Sequence, residues 1–305
     1  KRFLTSSQNI ASELFTAEQK RQYDQIGRVE KIEIRYLGTP EDTTLIMNKG
    51  ISTPYECARH LSEQHCKSSA LALLDSNIPW DMRRPLQESC TLQLLNFTIA
   101  DPYIVNKAFW RTCSFLLGAA LQNLFKEEAG LLLHSFPVPN IRSGSFIHDI
   151  SLEHSNWKPK KAELRAISVE MIKLANRDLK IDRLDVDHEL AMEMFQSNPI
   201  KLEQLPSITN QNNGFVTIYR VGDHIDISKG PMISSTGFIN KCTISAVHKL
   251  SIDDGVAPAI YRVQGVALPN GLNINHFAYG IIEERSKKLN AARLPNEPFD
   301  AELAI

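Results

Sequence analysis

Gly214-Phe215-Val216-Thr217-Ile218-Tyr219-Arg220-Val221-Gly222-Asp223-His224-Ile225-Asp226-Ile227-Ser228 reads as two alternating runs joined by Gly222-Asp223. Successive side chains of a strand point to opposite faces, so each run divides into two sets. The stretch therefore predicts a pair of antiparallel strands with a short turn between them. His224, Asp226 and Ser228 fall on one side of the second strand. A His/Asp/Ser row on one strand face has the groups to orient a water, but short polar side chains are expected on the solvent side of a hairpin.

Working outward, Ser228 and Met232 stand four apart in Ser228-Lys229-Gly230-Pro231-Met232. A second pair with that spacing, Arg111 and Phe115, lies in Phe109-Trp110-Arg111-Thr112-Cys113-Ser114-Phe115-Leu116-Leu117. That stretch belongs to a helix predicted over about residues 105–128, with Trp110, Leu117, Leu121 and Leu124 at helical spacing. Leu164, Ile167, Met171 and Leu174 recur every three or four residues and predict an amphipathic helix over 160–180. A further helix is expected over 187–196, ended by Asn198-Pro199, then a strand over 259–268 and a last helix over 275–290. Residues 98–292 thus form a larger domain, and 293–305 read as a tail.

Residues 29–97 read as a smaller mixed domain. Ile32, Ile34 and Tyr36 alternate with Glu33 and Arg35, a half-buried strand, and 43–47 return from it. Thr53-Pro54 opens a helix to about Cys66, with proline in its first turn. Strands over 70–74 and 91–97 complete the order of a β-grasp fold. Residues 1–28 form an N-terminal arm whose helix is expected to start at Thr16, where Thr16 and Gln19 fit a capping box. With little to bury alone, the arm is expected to pack on a partner or the next domain. The fold class is α+β.

At 305 residues the length suits two compact domains. The 43% hydrophobic and 23% charged residues are those of a globular chain rather than a disordered one. A formal net charge of −1 argues against a protein whose main task is coating nucleic acid. Local basic clusters remain as RNA-binding candidates: Arg83 and Arg84; Lys158, Lys160 and Lys161; Arg285, Lys287 and Lys288. The longest apolar-rich stretch, 113–121, is far short of the ~20 residues that span a membrane. No N-terminal segment reads as a signal peptide, and the start at Lys1 leaves room for a removed leader. The five cysteines include no Cys-x-x-Cys and suit free thiols in a reducing compartment. Cys57, His60, His65 and Cys66 match no common zinc spacing, so no metal and no cofactor is expected.

Gly50-Ile51-Ser52-Thr53-Pro54-Tyr55-Glu56-Cys57-Ala58, Trp80-Asp81-Met82-Arg83-Arg84-Pro85-Leu86 and Thr91-Leu92-Gln93-Leu94-Leu95-Asn96-Phe97 together resemble a TGS domain, the ubiquitin-like module of threonyl-tRNA synthetases. The larger domain resembles the editing domain of those enzymes, in residues 109–121, in Leu190-Ala191-Met192-Glu193-Met194-Phe195-Gln196-Ser197-Asn198-Pro199-Ile200-Lys201-Leu202-Glu203, in 226–237, and in Tyr261-Arg262-Val263-Gln264-Gly265-Val266-Ala267. The resemblance covers about residues 29–290, and no room remains for a class II aminoacylation core. In the synthetases a His-x-x-x-His pair meets a Cys-x-x-x-His pair; here the four positions hold Arg111, Phe115, Ser228 and Met232. An arginine has no lone pair to give a metal, phenylalanine is apolar, and serine and methionine are poor zinc ligands.

A chain with both N-terminal domains, no aminoacylation core and no editing residues resembles the threonyl-tRNA-synthetase-like family of the mitochondrial large ribosomal subunit. The resemblance implies a matrix location, a structural role beside other ribosomal proteins with some rRNA contact, no small-molecule substrate and no catalysis. Two other readings are weighed against it. One is a free-standing trans-editing deacylase, which needs the missing His and Cys pairs. The other is a tRNA-binding regulator that keeps the fold without hydrolysis. Arg111 and Lys229 also present cations that suit phosphate oxygens in the old pocket.

Overall fold

The computed structural model describes residues 6–153, 157–250 and 259–293. Among them the fold is α+β, with helices α1 Ser6–Asp24, α2 Pro54–Leu61, α3 Glu63–Ser68, α4 Tyr103–Leu124, α5 Lys161–Asn176, α6 His188–Met194, α7 Pro199–Gln211 and α8 His276–Arg285. The strands are β1 Lys31–Tyr36, β2 Thr43–Asn48, β3 Leu71–Leu74, β4 Ile78–Trp80, β5 Cys90–Leu95, β6 Leu132–Ser135, β7 Phe146–Leu152, β8 Asp182–Asp187, β9 Phe215–Val221, β10 His224–Ile227, β11 Ile239–Lys249 and β12 Ala259–Pro269.

The first five strands form one sheet in the order β2-β1-β5-β3-β4. β1 is antiparallel to β2 and parallel to β5, while β3 runs antiparallel to β4 and β5. Thr53 caps α2 and Glu56 returns the bond in a capping box, with Pro54 in the first turn. The single helix expected to Cys66 breaks instead at Ser62, which ends α2 and caps α3 by accepting from the His65 amide. β3 explains why 70–74 is apolar without alternation: Leu71 and Leu73 face the main core of the molecule, while Ala72 and Leu74 face the sheet's own core. One strand therefore welds two cores together.

The remaining strands form a three-stranded sheet, β10-β9-β8, and a four-stranded sheet, β11-β12-β7-β6. The main core lies among α4, α5 and the four-stranded sheet, with Phe109, Phe115, Phe146, Ile150, Ile167 and Met171 buried in it. The hairpin of β9 and β10 forms as expected around Gly222-Asp223, with Val221 opposite His224. β12 carries a fully buried Arg262, which forks onto Asp149 of β7 at 2.8 and 2.7 Å. The same guanidinium donates to the carbonyls of Asn290, Ala292 and Arg293 and so ties down the segment after α8.

Several expectations are corrected. α1 begins at Ser6, and Thr16 is a mid-helix residue bonded back to Ser12, not a cap. Pro199 does not simply close the preceding helix: Asn198 accepts from the Lys201 amide and starts α7. The long strand β11 and the short strands β4 and β8 go beyond the sequence reading: 239–249 show no clean alternation of exposed and buried positions, and the alternation of Leu184 and Val186 with Arg183, Asp185 and Asp187 in β8 is a signal that reading did not use. The reading of 294–305 lies outside the described residues. No helix among the described residues is long and apolar enough to cross a membrane.

α1 packs on the three-stranded sheet rather than on the domain that follows it in sequence. Phe15 is fully buried among Leu184, Val186, Ala191, Met194 and Ile218. Arg220 covers its ring at 4.3 Å and donates to Thr16 at 2.7 Å. Phe15→Ala is expected to lower stability by about 3–5 kcal/mol through the cavity it leaves, read as a shifted urea midpoint with an unchanged slope. A shift below about 1 kcal/mol would mean that α1 is not part of the cooperative unit.

Candidate functional site

α4 and the loop after β10 meet face to face. Arg111 donates from Nη1 to the Pro231 carbonyl at 3.0 Å, and the next residue, Thr112, accepts the Ile233 amide at 3.1 Å. The loop is held from its other side by Asp81, which accepts the Met232 amide at 2.8 Å and the Tyr219 hydroxyl at 2.9 Å. Gly230 is required between them: its φ is +67°, and a Cβ there would lie 1.9 Å from the Tyr219 hydroxyl.

Arg111, Phe115, Ser228 and Met232 come together but do different work. Arg111 and Ser228 line a cleft of ≈ 270 Å³, walled by Phe136, Ile208 and Ile227 and carrying Lys201 and Lys229. Phe115 and Met232 are core residues behind it, fully buried or nearly so. The Phe115 ring packs 4.8 Å from His224 and 6.5 Å from Tyr219, centroid to centroid. No His, Cys, Asp or Glu lines the cleft. Among the described residues no cluster of three or more such groups has the geometry to hold a metal ion.

The row on β10 faces inward, not to solvent as expected: His224, Asp226 and Ser228 are only 7%, 1% and 9% exposed. A polar row is tolerated in the interior because partners meet it there. Lys201 of α7 forms a buried ion pair with Asp226. His224 donates from Nδ1 to Gln122 at 2.6 Å, and His148 of β7 donates from Nδ1 to the Ser114 carbonyl at 2.8 Å. Gly118 gives the His148 ring its room on α4, since a Cβ there would come within 2.7 Å of it. His148 Nε2, His224 Nε2 and Asp226 Oδ2 find no hydrogen-bond partner, with His148 and Asp226 facing each other at 3.9 Å.

Burial sets the charges of this cluster. It pushes the His148 pKa down to about 4 and that of His224 to about 3, against the pull of Asp226. Asp226 moves the other way from what burial alone would do, because Lys201 holds its carboxyl below the usual range. Both imidazoles are thus neutral near pH 7, and neither reaches the cleft wall. Lys201 and Asp81 were not singled out from the sequence. The signal for Lys201 is its register: Lys201, Leu205 and Thr209 form the buried stripe of α7.

The basic candidates are scattered. Arg83 donates to the Ser234 carbonyl and lies over the Tyr55 ring, and Arg84 stacks on Trp80 at 3.6 Å, so both are used within the molecule. Lys158, Lys160 and Lys161 are exposed at the start of α5. Arg285, Lys287 and Lys288 are exposed at the end of α8, with Lys287 paired to Glu284 and Arg285 bonded to the Arg142 carbonyl.

No family model matches the chain. It is 63% identical over 300 residues to a protein of Drosophila melanogaster named large ribosomal subunit protein mL39, covering 98% of this chain and 90% of that one. It is 32% identical over 270 residues to the threonine–tRNA ligase of Thermotoga maritima, 83% of this chain but 39% of the ligase. Against the cytoplasmic threonine–tRNA ligase 1 of Homo sapiens it is 29% identical over 224 residues, 72% of this chain and 28% of the ligase.

The two buried imidazoles predict an acid sensitivity. In the unfolded chain they bind protons near the ordinary pKa of ~6.5, whereas the folded state resists until about 4 and about 3. Their contribution is whole above pH 6.5 and is lost as pH falls from there toward the folded values, at about 1.4 kcal/mol per pH unit and ring. Urea midpoints at pH 6.5 and pH 5 check this in a window where unfolded carboxylates are still mostly ionised. The wild type is expected to lose stability, and the double variant His148→Gln, His224→Gln to lose markedly less.

Proposed function

The chain belongs to the family of large ribosomal subunit protein mL39, and we propose on that premise that it is a non-catalytic structural component of the mitochondrial large ribosomal subunit, working in the matrix in support of translation. The high identity over almost the whole chain supports the assignment. The partial match to two threonine–tRNA ligases supports an origin in the N-terminal part of such an enzyme. On this reading residues 29–97 are a TGS-like β-grasp domain, which the strand order β2-β1-β5-β3-β4 supports. Residues 98–292 are a degenerate editing-like domain, 1–28 an arm and 293–305 a tail.

One observation carries the non-catalytic part. Ester hydrolysis needs a base or a metal to activate water on the same side as the bound ester. The cleft has neither: its lining contains no imidazole, thiol or carboxylate, and His148, His224 and Asp226 lie behind it. The deacylase reading is therefore not favoured, and the identity over nearly the whole chain to a ribosomal protein favours the structural reading over a tRNA-binding regulator. A net charge of −1 fits a protein held largely by other ribosomal proteins, with rRNA contact limited to local clusters. The exposed Lys158, Lys160 and Lys161 and the exposed Arg285 and Lys288 are the better candidates for that contact, since Arg83 and Arg84 are already engaged.

A density gradient of mitochondrial lysate in ~0.5 M salt, where weak phosphate contacts are largely screened, tests the assembly. The chain is expected to travel with the large subunit; a peak near the top of the gradient would overturn the structural reading. In a parallel assay the purified chain is expected to leave a mischarged tRNA intact. Hydrolysis above the buffer rate that disappears in His224→Ala would instead make it an enzyme.

A further inference from the structure

We infer that the cleft beneath the four substituted positions is an anion site that holds one phosphate group of an RNA strand, with Arg111 at its base and Lys229 at its mouth. The choice of RNA as the source of the phosphate rests on the ribosomal reading above; the anion site itself does not.

Arg111 is the anomaly that points there. It is 7% exposed, and its guanidinium keeps its charge under all ordinary conditions. Among the described residues the other buried cations have carboxylates: Lys201 has Asp226 and Arg262 has Asp149. Arg111 has no ion pair among the described residues, and its one hydrogen bond takes a single nitrogen to the Pro231 carbonyl. Asp81 acts on it only from beyond ion-pair distance. A buried charge with no counter-charge in contact is costly, and an anion bound next to it removes that cost.

The space beside Arg111 suits such an anion. Three cations and no carboxylate line the cleft; of these Lys201 is paired in contact, with Asp226 behind the wall, and Arg111 feels Asp81 at longer range. Lys229 is exposed and has no ion pair among the described residues. The apolar walls at Phe136, Ile208 and Ile227 lower the local dielectric and so strengthen attraction between Arg111 and an anion. A planar guanidinium fork matches two phosphate oxygens. Gln211 and Asn212 on the rim offer amide donors and acceptors to the neighbouring sugar and base.

The test uses the purified full-length chain and a fluorescently labelled eight-nucleotide single-stranded RNA, read by anisotropy. Binding is expected, with displacement by inorganic phosphate but not by acetate. Lys229→Gln is expected to weaken it about tenfold and to reduce the salt dependence by about one phosphate contact. Arg111→Gln should weaken it at least as much, while Lys126→Gln, an exposed charge on another face, should not change it. If Arg111→Gln does not fold, the surface variant Lys229→Gln decides alone. RNA binding indifferent to Lys229→Gln overturns the inference. So does preference for an acidic peptide over RNA. Inorganic phosphate binding that depends on Lys229, without any RNA binding, overturns the RNA source. Co-migration with the large subunit alongside a silent cleft would sink this inference and leave the ribosomal reading standing.

Discussion

Asp81 sits where the two halves of the chain meet, in the turn after β4, and its carboxylate reaches across into the larger half. It accepts the Tyr219 hydroxyl from β9 and the Met232 amide from the loop beyond β10, and it faces Arg183 of β8 at 3.6 Å. Burial pushes its pKa up, while Arg183 and the two hydrogen bonds pull against that rise. Removing one partner of such a buried pair leaves the other charge uncompensated, at a cost of about 3–5 kcal/mol. The cleft inherits its shape from this one group. With the Met232 amide fixed, the Pro231 carbonyl is presented to Arg111, and Tyr219 is fixed against a residue that has to be glycine.

The same rule holds for two further buried cations: Arg262 with Asp149 pins the segment after α8, and Lys201 with Asp226 joins α7 to β10, while Arg111 is the exception. Phe115 and Met232 fit the rule from the apolar side: both give the core surface that it can bury, and the rings of Tyr219, His224 and Phe136 close around Phe115. The other two, Arg111 and Ser228, line the cleft wall, where Arg111 donates to the Pro231 carbonyl and Ser228 accepts the Gly230 amide.

What could be read from the sequence was periodicity, and what could not was direction. α5, β1 and the hairpin of β9 and β10 announce themselves because their apolar sets repeat at 3.6 or 2 residues. The period of β10 separates His224, Asp226 and Ser228 from Ile225 and Ile227, yet it does not say which set goes inside. The polar set won because Lys201, from a helix distant in sequence, neutralises Asp226, and that pairing is visible only in three dimensions. β11 was missed because its pattern is broken by two register shifts against β12. The start of α1 was missed because Thr16 and Gln19 mimic a cap, whereas Thr16 in fact serves Arg220 on β9.

Distance between groups, more than their absence, decides the chemistry. The molecule still contains two neutral imidazoles with bare nitrogens and an ionised aspartate, which together would be a plausible base. They are kept out of the cleft, with Phe115 packed on His224 and Gln122 bonded to it, while the cleft in front offers cations. A base that cannot reach a water beside the bound ester contributes nothing to hydrolysis, however well its pKa is set. A Phe115→His substitution would open the packing without bringing that base forward or supplying a metal. The separation of that base from the cleft is therefore built into the core, where Phe115 and Met232 are packed, as firmly as into the cleft wall at Arg111 and Ser228.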